Sequence, residues 1–491
     1  MSEHLPILMV LVPLLSAPLV VLIKHRKASR VIATAACALS AAAAWALALQ
    51  MDGAVSYPLG GWQPAIGIEL RVDFAGAYVA AIVSTIATFA ISLGTRGARE
   101  DVEGREMFFY AAFLMCVAGL MGMVVTGDAF NVFVFLEISS LSTYTLVAMG
   151  KQRRALTAAL NYLFLGTLGG TFVLIGIGLM YQMTGSLNAA TVSARIREVE
   201  QLRTVHVAFA FLAVGLGIKL AVFPLHQWLP GAYSQAPHAV SSFLAGTATK
   251  VMYFQLIRVV VSFFGVAYVF HTLQLGAVLL PLSLVAMFAG SLSACYQPSL
   301  RRLLAYSSIG QVGYLTLALS LGTQAGLEAG LLHLGAHAVT KTALFIVAAA
   351  FIAQVGDDRI DGLAGLGKRF PLLSLGFVVG GLSLIGVPGT VGFVSKWALL
   401  EAALADGKPW LAFAVLASSM LAVVYVFRVV EVLYFRAPSP NAAPLVRERP
   451  DWGSWVPAAL LLVVTLGLGV FSELPSAYVA TAAQSLFGGA R

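Results

Sequence analysis

The sequence predicts an all-α polytopic membrane protein of about fourteen transmembrane helices, with two inverted five-helix repeats at its centre. Three observations carry this expectation. The chain has 491 residues, 59% of them hydrophobic and only 11% charged, with a mean hydropathy of +0.89. That is too little charge to cover a water-soluble surface of this size. Apolar stretches of about 20 residues recur from end to end, the length that crosses roughly 30 Å of hydrocarbon. In lipid the backbone must satisfy its own polar groups, so each stretch is a helix. Finally, lysine and arginine are sorted unequally between alternate loops.

In chain order, the expected spans are 4–23, 31–50 and 75–95 within an N-terminal unit, 1–106. The first is followed, not preceded, by basic residues (Lys24, Arg26, Lys27, Arg30). This is the wrong charge order for a cleaved signal peptide, so the span is expected to stay. Spans 107–125, 129–149, 155–182, 205–229 and 239–263 make a first repeat, 107–264. Spans 275–296, 303–321, 327–354, 372–404 and 410–434 make a second, 275–435. Residues 436–491 hold a loop and the last span, 455–474. An odd number of spans per unit turns the second repeat upside down relative to the first.

The net charge of +8 does not indicate nucleic acid, because the cations are partitioned. With the N-terminus outside, the loops on the inner side carry eighteen Lys and Arg: Lys24, Arg26, Lys27, Arg30, Arg96, Arg99, Arg105, Lys151, Arg153, Arg154, Arg301, Arg302, Arg359, Lys368, Arg369, Arg436, Arg447 and Arg449. Outer loops carry six: Arg71, Arg195, Arg197, Arg203, Lys408 and Arg491. This is the positive-inside pattern, and it puts both termini outside. The loop 183–204 fits least well, its arginines being partly balanced by Glu198 and Glu200. Cys37, Cys116 and Cys295 lie singly in apolar spans without metal-ligand spacing, so they read as small core residues.

Six cations remain inside spans: Lys219, Lys250, Arg258, Lys341, Lys396 and Arg428. Arg258 and Arg428 lie near helix ends, where the expected behaviour is snorkelling. The four lysines are deeper, and each costs on the order of 3 kcal/mol at a helix centre. Such residues are usually functional and need partners. Glu137 is mid-span and is the expected partner of a lysine, the alternative being a neutral carboxyl bonded to Ser139 or Ser140. His333, His337 and Lys341 recur at i, i+4 and i+8. They drift by only about 80° and share one helix face. That face suits a proton relay, since histidine ordinarily titrates near pH 6.5. A metal site lacks further ligands, and simple helix–helix hydrogen bonding is the remaining alternative.

Proline and glycine interrupt the seventh span (Gly215-Leu-Gly-Ile-Lys219…Pro224-Leu-His226) and the twelfth (Gly386-Val-Pro388-Gly…Ser-Lys396). Each has a lysine within about two turns of a mid-span proline. Proline withholds an N–H and frees a carbonyl for water or a cation. Two broken spans in corresponding halves are the pattern of inverted-repeat transporters; the alternative is a pair of simple kinks. Pro224, His226 and Pro388 are therefore the candidate channel entries. The run Gly362-Leu-Ala-Gly-Leu-Gly367-Lys368-Arg369 lacks the Ser/Thr and preceding strand of a nucleotide-binding loop. It reads as a basic loop, and no cofactor signature stands out.

These residues resemble the antiporter-like subunits shared by Mrp-type sodium/proton antiporters, respiratory complex I and membrane-bound hydrogenases. The resemblance covers nearly the whole chain. It is carried by 126–137, ending in Glu137, by Lys219-Leu-Ala-Val-Phe-Pro-Leu-His226-Gln-Trp-Leu-Pro, by Gln235-Ala-Pro-His-Ala-Val-Ser, by the His333/His337/Lys341 helix and by 386–396. It implies fourteen helices, inverted repeats and two broken helices. It also implies roles: Glu137 as fifth-helix carboxylate, Lys219 as its partner, Lys250 as relay lysine, His333, His337 and Lys341 as central relay, and Lys396 as terminal lysine.

Among the branches, Gly231-Ala-Tyr233, Thr249-Lys250 and 59–62 are similar to the D-type chain of Mrp antiporters. Pro388-Gly389 departs from that pattern and keeps the complex I M/N-like and hydrogenase-type chains open. M-type chains, however, tend to carry glutamate where Lys396 stands. The resemblance implies a proton-translocating subunit of a hetero-oligomer with A, B, C, E, F and G type partners. It would move H⁺ against Na⁺ in a bacterial or archaeal plasma membrane, with no cofactor, metal or nucleic acid.

Overall fold

The computed structural model describes residues 2–64, 67–92, 101–438, 445–446 and 452–488. Arg96, Arg99, Arg447, Arg449 and Arg491, which the charge pattern places in loops, lie outside the described residues. The chain is a multi-pass helical membrane protein. Twelve helices among the described residues are long and apolar enough to cross a bilayer.

The N-terminal helices are α1 (Leu5–Ile23), α2 (Arg26–Gln50) and α3 (Phe74–Ser92). Then come α4 (Glu106–Val125), α5 (Ala129–Ala148) and α6 (Arg154–Thr184). A short helix α7 (Ala189–Val199) occupies the loop that fitted the charge rule least well. The seventh span is broken, as expected, into α8 (Arg203–Leu220) and α9 (Trp228–Gln235). The eighth is also interrupted, which sequence reading missed. Helix α10 (His238–Gly246) gives way at Thr247 (φ −124°, ψ −56°) to α11 (Ala248–Ile257), which continues as a π-helix over Arg258–Phe263.

The second half comprises α12 (Leu275–Cys295), α13 (Leu300–Ser320) and α14 (Gln324–Val355). The twelfth expected span is two 15-residue helices, α15 (Pro371–Ile385) and α16 (Val391–Ala405). Then follow α17 (Pro409–Tyr434), α18 (Trp452–Val470) and α19 (Glu473–Gly488). The expected tenth and twelfth spans are the two not among the twelve long apolar helices. Helix α13 carries Arg301, Arg302, Ser307, Ser308 and Gln311, and α15 and α16 are each too short. Helix α19, beyond the last expected span, is an addition that sequence reading missed.

Small residues let neighbouring helices approach closely. A Cβ on Gly119 of α4 would stand 2.6 Å from the Ser139 amide nitrogen of α5. One on Gly290 of α12 would stand 2.6 Å from that of Gly310 in α13. Helix α14 is the hub. It packs on α3, α10, α13, α15, α16, α18 and α19, so its polar face is buried together with its apolar ones.

Two strands, β1 (Val55–Pro58) and β2 (Glu69–Val72), form an antiparallel hairpin with Val55 opposite Val72. Buried Glu69 ties it down by accepting from Ser56 Oγ at 2.5 Å and Asn188 Nδ2 at 2.8 Å. Asp128 and Asn188 in turn cap the N-termini of α5 and α7. The ends of α4, α5 and α7 therefore meet the hairpin on one face of the molecule, the hairpin face below.

Candidate functional site

Glu137 and Lys219 meet between α5 and α8. Lys219 Nζ lies 3.7 Å from Glu137 Oε1, an ion pair too long for a hydrogen bond. The ammonium donates to Ser140 Oγ at 2.6 Å and Tyr144 OH at 3.3 Å. Glu137, Ser140 and Tyr144 are spaced three and seven apart, which puts them on one face of α5. Ser140 therefore serves the lysine, and Ser139 donates to the Leu136 carbonyl of its own helix. Neither serine hydrogen-bonds to Glu137, whose Oε1 has no hydrogen-bond partner among the described residues. Lys219 is 4% exposed, whereas the Glu137 side chain keeps 24% exposure on the flank of the chain.

The break beside Lys219 has a local cause. Ala221 adopts the left-handed conformation (φ 64°), which ends α8. Trp228 Nε1 reaches back to the Ile218 carbonyl at 2.9 Å, and its ring stacks on Tyr162 with centroids 4.0 Å apart. Pro224, after a cis peptide, is exposed in the intervening turn. His226 is half-buried, with its ring stacked on Phe223.

Lys250 is fully buried just past the Thr247 interruption. It donates to the Ala245 carbonyl, which that interruption leaves free, and to Thr249 Oγ1 at 3.3 Å. On α14, the His333 and His337 rings stack 9° from parallel with centroids 6.0 Å apart. His333 Nδ1 pairs with Ser395 Oγ at 3.0 Å, and both ring nitrogens of His337 have no protein hydrogen-bond partner among the described residues. Lys341 donates to the Leu304 carbonyl at 2.7 Å and to Ser307 Oγ of α13. Lys250 is within electrostatic reach of His333, His337 and Lys341. Lys250, Lys341 and Lys396 thus gather around the polar face of α14, whereas Lys219 bonds to groups of α5.

Lys396 has no carboxylate among the described residues. Its Nζ donates to the Leu384 and Ile385 carbonyls at 2.8 and 3.0 Å and to Ser419 Oγ at 3.0 Å, over the Tyr314 ring. Those carbonyls end α15, which Gly386 stops at φ 91°. A cation at the C-terminal end of a helix is favoured by the helix dipole. The two broken spans are therefore not alike. Lys219 sits on the half-helix before its break and Lys396 on the half-helix after it. Pro388 is exposed in the turn between α15 and α16.

Both arginines expected to snorkel are held by protein instead. Arg428 Nη1 donates to the Cys295 and Gln297 carbonyls at 2.6 and 3.0 Å, at the C-terminal end of α12. Arg258 binds Asp73, just ahead of α3, by two hydrogen bonds at 2.5 and 2.8 Å. The sequence names Ser140 only as a partner of Glu137, not of Lys219, and gives no role to the supporting hydroxyls Tyr144, Ser307, Ser395 and Ser419. The helical spacing of Ser140 and Tyr144 from Glu137 was the one signal available for them.

The sequence profile of the family described as "NADH:quinone oxidoreductase/Mrp antiporter, TM" matches residues 126–422. A protein of Desulforudis audaxviator named NADH-quinone oxidoreductase subunit N is 40% identical over 485 residues, covering 96% of this chain and 95% of the relative. The D-type chain of a Bacillus subtilis Na(+)/H(+) antiporter is 30% identical over 488 residues, covering 98% and 96%. Among solved structures, a chain of the Mrp complex from Dietzia sp. DQ12-45-1b superposes with a TM-score of 0.89 at 27% identity, covering 99% of this chain and 97% of that one. The similarity thus extends to both branches.

Proposed function

This chain belongs to the NADH:quinone oxidoreductase/Mrp antiporter transmembrane family, and we propose that within it the chain is the proton-translocating subunit of a hetero-oligomeric membrane complex. The observation that carries the reading is the Glu137–Lys219 ion pair at 3.7 Å, set at the start of a row of buried bases that continues through α14 to Lys396. At an effective dielectric near 20, two charges about 4 Å apart interact by about 4 kcal/mol. Moving either charge therefore changes the energy of the other by enough to drive a proton step.

The order of transfer is Glu137, Lys219, Lys250, His337 or His333, Lys341 and Lys396. Unpaired ring nitrogens on His337 are suited to taking and giving a proton in the middle of the row. Protons enter by the turn around Pro224 and His226, and by Pro388 in the second half. The five-helix units α4–α11 and α12–α17 act as inverted repeats around α14, with the hairpin face and both termini outside a bacterial or archaeal plasma membrane.

Within the family, the reading taken is monovalent cation (Na⁺)/proton antiport with Mrp-type A, B, C, E, F and G partners, supported by the D-type relative and by the Mrp fold neighbour. A second reading is a redox-driven proton pump, favoured by the 40% identity to an N-type chain of an NADH-quinone oxidoreductase. Copurified flavin or iron–sulfur proteins decide for the pump, and only small hydrophobic partners decide for the antiporter. The relay itself is tested by Glu137→Gln and Lys219→Ala in the assembled complex. Ion-coupled transport is expected to be lost, and unchanged transport in either variant overturns the scheme.

A further inference from the structure

A cavity of about 340 Å³ opens on the hairpin face between α3, α4, α7 and α11. Its wall is more apolar than polar, but it includes the polar and charged residues Arg71, Asp73, Thr126, Gln255, Arg258 and Ser262. A site this roomy, with several hydrogen-bonding partners, holds water. At its inner end Val132, Gln255 and Phe263 line both this cavity and a second, smaller gap of about 20 Å³. The gap is walled by Val173, Leu216 and Val259, and Gln255 is its one polar residue. Gln255 is already engaged, donating to the Met123 carbonyl at 2.8 Å. The gap has volume for about one water but lacks the two to four polar partners that would hold it.

The gap points at the ion pair. Leu216 precedes Lys219 by one helical turn on α8, and Val173 follows Gly170 by one turn on α6. Gly170 faces the pair, since a Cβ there would collide with Glu137 Oε1. One turn is about 5.4 Å, so the dry stretch between cavity and carboxylate is short.

We infer that the Glu137–Lys219 pair has an access route of its own from the hairpin face, running through this cavity and closed by the apolar constriction at Val132 and Phe263. Apolar constrictions gate by drying and conduct when they wet. One file of water through about 20 Å³ passes protons and excludes a hydrated sodium ion. The turn at Pro224 and His226 is the opening already assigned to this pair, so the pair is reachable from two directions. The Asp73–Arg258 bridge fixes the mouth by holding α3 to the π-helical end of α11. This inference rests on the reading that Glu137 carries the proton.

The test uses the purified complex in proteoliposomes. Phe263→Ala widens the constriction, and Val259→Ala is the second variant in case the first fails to assemble. Passive proton leak under a potassium diffusion potential, read by a pH-sensitive dye, is expected to rise several-fold, and adding Glu137→Gln is expected to abolish the rise. In a background where Cys37, Cys116 and Cys295 are replaced by alanine, Ser262→Cys is expected to react with a membrane-impermeant thiol reagent applied from the hairpin face. Val173→Cys is expected to react only together with Phe263→Ala. Absence of the leak, or a leak indifferent to Glu137→Gln, overturns the route. If Glu137→Gln alone still abolishes coupled transport, only the route has failed; if transport survives it, the relay reading has failed as well.

Discussion

Arg258 grips Asp73 across 185 residues of sequence with two parallel hydrogen bonds, Nη1 to Oδ2 at 2.5 Å and Nη2 to Oδ1 at 2.8 Å. Both side chains are only 16–17% exposed, and the guanidinium also lies over the Phe254 ring. Removing one partner leaves the other an unpaired, mostly buried charge in the cavity wall. Asp73→Ala is expected to destabilise by about 2 kcal/mol, the range for hydrogen bonds to a charged group. The measurement is the melting temperature in detergent. Asp73→Ala/Arg258→Ala together should cost less than the sum of the single variants, because the two groups act as a unit.

The same pair sets a pH dependence. Burial pushes the Asp73 carboxyl up, but the charge and hydrogen bonds of Arg258, with a hydrogen bond from the Gly76 amide, more than offset it and hold it below its ordinary range. A carboxyl lowered in the folded state contributes stability above its unfolded value of about 3.9. That contribution is lost as pH falls through the lower folded value. The melting-temperature gap between the native chain and Asp73→Ala should therefore be full at neutral pH and close progressively below about pH 4.

Gly170 and Gly178 lie on the same helix and should respond oppositely to alanine. A Cβ at Gly170 would collide with Glu137 Oε1, whereas nothing lies within 4 Å of one at Gly178. Gly178→Ala should gain about 0.5–1 kcal/mol from reduced backbone entropy and leave transport intact. Gly170→Ala should displace the carboxylate from Lys219 and sharply reduce transport while the complex still assembles. Equal activity in the two variants would show that the position of Glu137 does not matter.

Lys396 stabilises a helix end as well as standing in the proposed relay. Lys396→Met removes the donor from the Leu384 and Ile385 carbonyls and should cost about 1–3 kcal/mol for polar groups left unsatisfied. Lys151→Met, at an exposed loop position, should cost almost nothing. Thermal melts of the two variants in the same detergent make the comparison, and a similar loss in both would contradict this role of Lys396.

Much of the candidate site was legible because its residues break a strong background. Glu137, Lys219, Lys250, Lys341 and Lys396 stand out as single charges in apolar runs, and His333, His337 and Lys341 announce their shared face by spacing alone. The breaks at 221–227 and 386–390 were legible through proline and glycine. The Thr247 interruption has no proline, only the single Gly246 before it, so it reads as continuous helix. The hairpin at 55–72 and the terminal helix α19 had no long apolar stretch to mark them. Arg258 was assigned to snorkelling because its nearness to a helix end is visible in sequence and Asp73 is not visibly its partner.

The sequence by itself determined that this chain crosses a membrane many times and carries costly ionisable groups inside it. The physical reason is that insertion energy is set largely by each segment's own composition. Only the tertiary structure decided what each buried cation bonds to: a carboxylate and hydroxyls for Lys219, helix-end carbonyls for Lys396, and the distant Asp73 for Arg258. Hydrogen bonds act over about 3 Å. Which groups come that close depends on how helices far apart in sequence pack.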